Sequence, residues 1–351
     1  MYDELYYDQL HSAKALSTSN LFSYSISSVY SSAFSLTSDF NDCTEKDLKL
    51  LYTKPKPSIN HKPSLFSEDI CLAHDNFLEN SNSFQEKSQI ENILNKASPN
   101  LYKISQTKNG TRWIQKLITA VSQNSLYIEI IANSLKSHVI ELSKDLNGNY
   151  VIQKCLSTFS PIKNQIIFDE INENLIEISI NKHGCCVVQR CIDAALPYQL
   201  ENLVGNIIKH TTFLINDPFG NYVLQYVISL GKPDINSKLA MIFLKDIKNY
   251  ASQKYSSNVI EKCLQANTPE TQQIIIKEIS KPENFEKMIF DQYANYGNYY
   301  IVIQRALSIA EPELLSQMLY SIKTLMGKLK HSKYGRRICS KLLESHPNLN
   351  K

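Results

Sequence analysis

Residues 148–156 read GNYVIQKCL, and variants of this stretch recur along the chain. The later copies are GCCVVQRCI at 184–192, GNYVLQYVI at 220–228 and SSNVIEKCL at 256–264, each 36 residues after the one before. An earlier copy, GTRWIQKLI, occupies residues 110–118. A fixed period of about 20–50 residues is typical of repeat arrays. The copies therefore indicate a solenoid, and the rest of the chain precedes, extends or caps it.

The repeated stretch has the apolar spacing of a buried helix. When the residue after the initial glycine or serine is numbered 0, positions +2, +3, +6 and +7 are apolar in every copy. These positions share one face of an α-helix, so that face belongs to the core. The glycine or serine before position 0 suits a tight start of the helix. A second apolar stretch precedes each copy, as at 166–180, so each unit has two or three short helices. The predicted fold class is an all-α solenoid.

Positions 0, +1 and +4 point away from the core, one turn apart. Position 0 has short hydrogen-bonding residues, +1 has mostly flat ones, and +4 has Gln or Glu. The 0/+4 pairs are Thr111/Gln115, Asn149/Gln153, Cys185/Gln189, Asn221/Gln225 and Ser257/Glu261. Position +1 holds Arg112, Tyr150, Cys186, Tyr222 and Asn258, and position +5 holds Lys116, Lys154, Arg190, Tyr226 and Lys262. A merely solvated face would be mostly Lys and Glu, so this strip (positions 0, +1, +4 and +5) predicts a binding surface.

The residue types of the strip suit single-stranded RNA. A carboxamide donates to and accepts from the edge of an unpaired base, and a flat side chain at +1 can stack between bases. A basic edge at +5 can follow the phosphates. A peptide ligand stays open as an alternative. Helix capping would also explain Asn149 and Asn221, but not the glutamine four residues later.

The units resemble Pumilio (PUF) repeats over roughly residues 100–345, since GNYxxQ, GCCVVQ and SNVIE recur in the order expected of that family. The resemblance implies a right-handed, curved α-solenoid that reads one base per repeat, with the RNA antiparallel to the protein. It implies guanine for Ser257/Glu261, uracil for Asn221/Gln225 and Asn149/Gln153, and adenine for Cys185/Gln189 and Thr111/Gln115. Arg112, Tyr150, Tyr222 and Asn258 would stack on the bases, and Cys186 is a poor stacking residue. The implied core site is 5′-(U)GUAU(A)-3′.

The sixth copy breaks the pattern. It reads GNYYIVIQRAL at 297–307, so Gln304 follows Asn298 by six residues instead of four. Two extra residues rotate Asn298 by about 200° around a continuous helix. Either Tyr300 occupies position 0 or a bulge absorbs the insertion. Asn298 and Gln304 are the candidate base-edge residues here, Tyr299 is the candidate stacking residue, and Arg305 extends the basic edge.

The remaining segments are assigned by composition and pattern. Residues 1–65 are Ser/Tyr-rich and predicted to be disordered. Residues 66–99 have a helical period and are an N-terminal cap or a degenerate repeat. The RNA-binding domain spans 100–345, with about six repeats and a C-terminal half-repeat from Tyr334, and 346–351 form a tail. Residues 1–99 carry 8 basic and 13 acidic residues (net −5), and 100–351 carry 29 and 21 (net +8), which suits a polyanionic partner.

Several classes of protein are excluded by what the sequence lacks. No apolar run is long enough to cross a membrane, and no secretory signal pattern is present. Cys155, Cys191 and Cys263 share position +6 with Leu117 and Val227, so they are predicted core thiols, and reduced ones. Cys185 and Cys186 beside His183 lack the spacing of a metal site. No nucleotide-binding or catalytic motif occurs, so we expect neither an enzyme nor a cofactor.

The resemblance implies a cytoplasmic regulator, expected to be a monomer. It would bind UGUA-type elements in mRNA 3′ untranslated regions and recruit deadenylation or repression machinery. Two alternatives stay open: a nucleolar Pumilio-like ribosome-assembly factor with low base specificity, and a protein-binding α-solenoid.

Overall fold

The computed structural model describes residues 84–291 and 300–331, together with isolated positions between 336 and 347. The predictions for residues 1–65, for the first part of 66–99, for Asn298 and Tyr299, and for most of the tail lie outside the described residues. The α-helices are α1 Phe84–Ala97, α2 Leu101–Ser105, α3 Lys108–Val121, α4 Ser125–Leu135, α5 Val139–Lys144, α6 Gly148–Thr158, α7 Gln165–Glu173, α8 Leu175–Ser179, α9 Gly184–Ala194, α10 Pro197–Lys209, α11 Thr211–Leu214, α12 Gly220–Ser229, α13 Pro233–Leu244, α14 Ile247–Ser252, α15 Ser256–Ala266, α16 Pro269–Ile279, α17 Pro282–Asp291, α18 Tyr300–Ile309 and α19 Pro312–Leu329.

From α2 onward the helices fall into six units of three: a first helix, a second helix that carries the repeated stretch, and a third helix. Units 1 to 6 are α2–α4, α5–α7, α8–α10, α11–α13, α14–α16 and α17–α19. Each second helix contacts the second helix of the next unit, from α3 through to α18. The second helices therefore form one continuous row, and the predicted all-α solenoid fold is confirmed.

The apolar positions of the second helices form the core, as their spacing predicts. In α6, Val151, Ile152, Cys155 and Leu156 at +2, +3, +6 and +7 are at most 2% exposed. The same four positions are buried in α3, α9, α12, α15 and α18. Burial of these side chains removes apolar surface from water, which is the main favourable contribution to folding such an array.

The glycine before position 0 is needed because the first helix of the same unit approaches it closely. A Cβ on Gly220 would lie 3.0 Å from the carbonyl oxygen of Leu214, and one on Gly148 would lie 2.6 Å from Leu142 Cδ2. In unit 5 the residue is Ser256, whose hydroxyl donates at 2.6 Å to the carbonyl of Tyr250. The first helix of unit 5 therefore lies close enough to Ser256 to accept a hydrogen bond from it.

Helix α1 precedes unit 1 and lies in the segment predicted as a cap or degenerate repeat. It buries Ile90, Ile93, Leu94 and Ala97, whose spacing places them on one face of the helix. It packs against the third helix of unit 1, α4, and so covers apolar surface that the first unit would expose to water. In the described part of the chain, no helix combines the length and the apolar character needed to cross a bilayer.

Candidate nucleic-acid interface

The strip lies along the row of second helices, and the burial of each of its side chains depends on the position in the repeat. The prediction that position 0 points away from the core is wrong: it is buried in each of units 1–5, because its side chain turns back to bond backbone carbonyls. Positions +4 and +5 are half-buried. At +1, Arg112, Tyr150 and Tyr222 are exposed, and Cys186 and Asn258 are half-buried. The surface is therefore a row of shallow sites, each with a buried residue at its floor, a half-buried one at +4 and a more exposed side chain at +1.

Units 2 and 4 present the same polar arrangement. The Nδ2 of Asn149 donates to the carbonyls of Asp145 at 2.8 Å and Leu146 at 3.0 Å, and its Oδ1 accepts from Gln153 Nε2 at 2.9 Å. Asn221 makes the equivalent bonds to the carbonyls at −4 and −3 at 2.8 and 3.0 Å, and accepts from Gln225 at 2.8 Å. Both amide hydrogens of the asparagine are thus used internally. Its second Oδ1 lone pair and the rest of the glutamine amide remain available to a ligand.

The asparagines at position 0 do not cap their helices. The cap is the residue at −4: Asp217 Oδ1 accepts from the backbone N–H of Phe219 at 2.8 Å and of Gly220 at 2.7 Å. Asp145 and Asn181 make the same pair of bonds in units 2 and 3. Capping at −4 leaves the residue at position 0 available for another role, so the capping explanation of Asn149 and Asn221 is wrong.

The other three units fix position 0 differently. Thr111 donates from Oγ1 across the unit boundary to the carbonyl of Asn147 at 2.8 Å. Ser257 donates to the carbonyl of Lys254 at 3.3 Å, and Cys185 Sγ lies 3.5 Å from the carbonyl of Lys182. The pKa of Cys185 is raised, first by its hydrogen bond with Cys186 and then by burial, so it is a neutral thiol. Serine and cysteine are smaller than asparagine, so units 3 and 5 leave more room above position 0 than units 2 and 4.

Gln115 in unit 1 is hydrogen-bonded differently from Gln153 and Gln225. Its Nε2 turns back onto its own helix and donates to the carbonyl of Thr111 at 3.2 Å and to Thr111 Oγ1 at 3.3 Å. The physical reason is that the threonine hydroxyl gives its hydrogen to Asn147, which leaves its oxygen and the nearby carbonyl as acceptors for the glutamine. In the free protein Gln115 therefore offers its Oε1 to a ligand, and its amide would have to turn before it could donate to a base.

Tyr222 at +1 lies between neighbouring units. Burial raises the pKa of its phenol, and the next causes are the Cys185 thiol of unit 3 and the Tyr255 phenol of unit 5. Its ring remains 47% exposed. An aromatic side chain that is about half exposed on the strip can stack on a flat ligand.

Four of the +5 side chains are hydrogen-bonded to neighbouring side chains: Arg190, Tyr226, Lys262 and Arg305. Arg190 Nη1 lies 3.3 Å from Asp193 Oδ2, and Tyr226 of the next unit donates to Asp193 Oδ1. Lys262 donates to Gln265 at 3.4 Å, and Arg305 Nε donates to Glu261 Oε1 at 3.0 Å. The sequence did not predict that Asp193, three residues after +5, would bond two of these side chains. It also did not predict the contact of Arg305 in unit 6 with Glu261 in unit 5.

A second basic row at −3 was also missed by sequence reasoning. Lys108, Lys182 and Lys254 occupy this position in units 1, 3 and 5. The backbone carbonyl at −3 accepts from position 0 in units 2–5, so the −3 residue lies beside the floor of each of these four sites. The recurring spacing from the glycine was the signal that could have found this row.

In unit 6 the helix bounds and burial favour Tyr300 as position 0. Helix α18 begins at Tyr300, and Val302, Ile303, Ala306 and Leu307 are buried at +2, +3, +6 and +7. Gln304 is then at +4, Arg305 is at +5, and the exposed Ile301 is at +1 in place of the predicted Tyr299. Asn298 and Tyr299 themselves lie outside the described residues.

The cysteines of the core are free thiols, as predicted for Cys155, Cys191 and Cys263. Burial raises the pKa of Cys155 and of Cys263 to about 12. Across 84–291, 300–331 and the isolated positions beyond, no group of three His, Cys, Asp or Glu side chains could hold a metal ion.

Comparisons with known proteins agree with this geometry. The profile of the Pumilio-family RNA-binding repeat matches residues 100–126, 138–171, 174–208, 213–241 and 247–280, which are units 1–5. Unit 6 has the same three-helix order outside these matches. The chain is 38% identical over 262 residues to a Pumilio domain-containing protein of Schizosaccharomyces pombe, covering 75% of this chain and 38% of that protein. It is 37% identical over 259 residues to Pumilio homolog 9 of Arabidopsis thaliana, covering 74% and 44%. The chain therefore spans less than half the length of these two relatives.

Among solved structures, the chain is similar to the Puf4 RNA-binding domain bound to the HO endonuclease RNA 3′ UTR recognition sequence. The identity is 30% and the TM-score is 0.70, with 78% of this chain and 87% of that one covered. A Puf4 mutant bound to a Cox17 RNA 3′ UTR sequence gives the same TM-score at 29% identity, with 85% and 93% covered. With five matched repeats and this extent of coverage, the chain belongs to the Pumilio family of RNA-binding repeat proteins.

Proposed function

We propose that this protein binds single-stranded RNA in a sequence-specific manner, at sites of the UGUA type whose central GUAU is read by units 5 to 2. The observation that carries the proposal is the order of the 0/+4 pairs along the row of second helices. Units 5 to 2 present Ser257/Glu261, Asn221/Gln225, Cys185/Gln189 and Asn149/Gln153 in succession. These pairs would read G, U, A and U in the 5′ to 3′ direction.

The chemistry of each pair suits its base. Guanine presents two adjacent N–H donors on its Watson–Crick edge, and Glu261 supplies two carboxylate acceptors above the small floor of Ser257. Uracil presents an N–H between two carbonyl oxygens. The asparagine Oδ1 can accept the N–H, and the remaining N–H of the glutamine can donate to a carbonyl. In unit 3, the thiol of Cys185 leaves room for a purine, with Gln189 able to donate to and accept from adenine.

Stacking and charge would supply the part of the affinity that does not depend on sequence. The exposed rings of Tyr150 and Tyr222 offer about 1–3 kcal/mol per stacked base, and Arg112 can stack through its guanidinium plane. The cations of both rims, Lys154 and Lys262 on one side and Lys108, Lys182 and Lys254 on the other, would lie near the phosphates. Binding is accordingly expected to weaken as salt rises.

At the cellular level we propose a cytoplasmic regulator that binds mRNA 3′ untranslated regions and recruits deadenylation or repression machinery. Two solved relatives, the Puf4 domain and its mutant, were bound to RNA 3′ UTR recognition sequences, which supports the choice of target class. The recruiting role rests on the family resemblance.

Selection from a random RNA pool, followed by titration of the enriched sequence, tests the proposal. The expected result is enrichment of UGUA with the next base U. Binding without sequence enrichment would instead favour an assembly factor of low base specificity. No RNA binding at all would favour a protein-binding solenoid. A variant with Tyr222→Ala and Gln225→Ala, titrated beside the wild type, checks that the enriched RNA occupies the strip.

A further inference from the structure

Glu261 is the acidic residue in a +4 row otherwise made of glutamine, and it is bonded to the following unit. Arg305, at +5 of unit 6, donates from Nε to Glu261 Oε1 at 3.0 Å. Arg190 is the matching arginine of unit 3, and the unit before it has the neutral Gln153 at +4. There the guanidinium lies 3.3 Å from Asp193 of its own helix. The arginine thus crosses to the preceding unit where that unit presents an acid.

This contact bears on how Glu261 could read a base. A carboxylate has about four acceptor positions, so the bond from Arg305 uses one and leaves Oε2 and part of Oε1 available. An unrestrained glutamate populates several rotamers and loses that freedom on binding. A glutamate already tied through Oε1 loses less, which is the advantage of a preorganised site.

We propose that Arg305 is a positioning residue for guanine specificity. It fixes the Glu261 carboxylate so that its two oxygens accept from the adjacent N1–H and N2–H of guanine. The inference rests on the proposed function, in which unit 5 reads guanine.

The geometry argues against two simpler roles for Arg305. The side chains of Glu261 and Arg305 are 20% and 36% exposed, and ion pairs this accessible contribute little to folding stability. A phosphate contact would draw the guanidinium away from Glu261 and leave that carboxylate unpaired beside the RNA. Arg305 is therefore assigned to the base-reading site and not to the basic edge.

The test measures the dissociation constants of the full chain for two RNAs, UGUAUA and UAUAUA, at several salt concentrations. The variants are Arg305→Gln, Arg305→Lys, Glu261→Gln and the double variant, with Arg190→Gln as the matched control. Arg305→Gln should lower the preference for guanine over adenine by about fivefold or more, because hydrogen bonds to charged groups are strong and directional. Arg305→Lys should restore part of that preference. Arg190→Gln, at +5 of the strip, should lower the affinity for both RNAs alike and leave the ratio of the two dissociation constants unchanged. In the Glu261→Gln background, Arg305→Gln should have no further effect on it.

Salt dependence separates positioning from a phosphate contact. An arginine that contacts a phosphate contributes about 1 to the slope of log K against log salt, so the slope should be the same for Arg305→Gln and the wild type. A reduced slope with an unchanged base preference would overturn the inference. So would tighter binding of UGUAUA by Arg305→Gln, since the ion pair would then oppose RNA.

The failures of the two proposals are distinguishable. A wild type that binds both RNAs equally refutes the base assignment of unit 5, and the inference with it. A wild type that prefers guanine, with variants that keep the full preference, refutes the inference alone. Thermal unfolding of each variant establishes that it is folded. If Arg305→Gln does not fold, Arg305→Lys still tests the inference.

Discussion

Gln225 donates from Nε2 to the Oδ1 of Asn221 at 2.8 Å in the free protein. Because Asn221 is itself held by the carbonyls of Asp217 and Pro218, the pair is ordered before any ligand arrives. An ordered pair loses little side-chain entropy on binding. Asn149 and Gln153 form the same pair in unit 2, so we expect that the asparagine–glutamine pair can be transferred to another unit.

Transfer of this pair to unit 5 should change the base that unit reads. Ser257→Asn with Glu261→Gln is expected to shift the preference at the second base of UGUA from G to U, by about tenfold or more. The asparagine has its anchors in place. In unit 5 the carbonyl of Lys254 accepts from the Ser257 hydroxyl and that of Gln253 from the Ser257 backbone N–H, and in unit 4 both counterparts accept from Asn221 Nδ2. Titration against the four second-base variants of UGUAUA measures the shift.

The reciprocal change is the matched control. Asn221→Ser with Gln225→Glu should move the third base from U toward G and leave the second base unaffected. If either double variant keeps the wild-type base, the assignment of one base to one unit is wrong.

Stacking by Tyr222 can be measured against a tyrosine off the strip. Tyr222→Ala should cost about 1–3 kcal/mol of RNA-binding free energy, while its half-exposed ring makes little difference to folding. Tyr198 of α10 is 52% exposed, comparable to the 47% of Tyr222, and Tyr198→Ala should leave RNA affinity unchanged. Fluorescence titration of both variants measures the difference. Equal affinities for the two variants would remove Tyr222 from the RNA contacts.

Much of the fold was predictable from the sequence because one helical period repeats. The burial of +2, +3, +6 and +7, and the openness of +1, follow from the turn of a single helix. The sequence could not show that Asp217, and not Asn221, caps α12, because both residue types suit either role. Nor could it pair Glu261 with Arg305, 44 residues apart, since that contact depends on how successive units stack. The inward turn of the Gln115 amide was equally hidden, because it depends on where the neighbouring Thr111 hydroxyl donates. The local period of the sequence determines which helix face is polar, and the packing of successive units determines which polar groups come into contact.

In units 1–4 the first helix packs closely against the glycine before position 0. We therefore expect a substitution of this glycine to lower stability, and a second glycine of the chain serves as the control. A Cβ on Gly184 would overlap the carbonyl oxygen of Ile178, whereas one on Gly205, in the middle of α10, would meet nothing within 4 Å. Gly184→Ala should therefore destabilise by about 1–3 kcal/mol, since backbone has to shift. Gly205→Ala should stabilise by about 0.5–1 kcal/mol through helix propensity. Urea unfolding of the two variants measures both signs, and a Gly184→Ala variant as stable as the wild type would contradict the close approach.

The buried thiols predict a loss of stability at alkaline pH. The pKa of Cys155 and of Cys263 is raised from 9.0 to about 12 by burial, so each thiolate is more easily formed in the unfolded chain. The protonated thiols contribute fully to the free energy of unfolding below about pH 9. This contribution is lost as pH rises from 9 towards 12, at roughly 1 kcal/mol per pH unit for each thiol. Valine occupies the same +6 position at Val227, so Cys155→Val with Cys263→Val removes the titration and keeps an apolar core. Urea unfolding at pH 8 and pH 10 should therefore show the wild type losing more stability than the double variant, because only the wild type has these two thiols to ionise. Parallel losses in the two proteins would mean that other groups cause the alkaline effect.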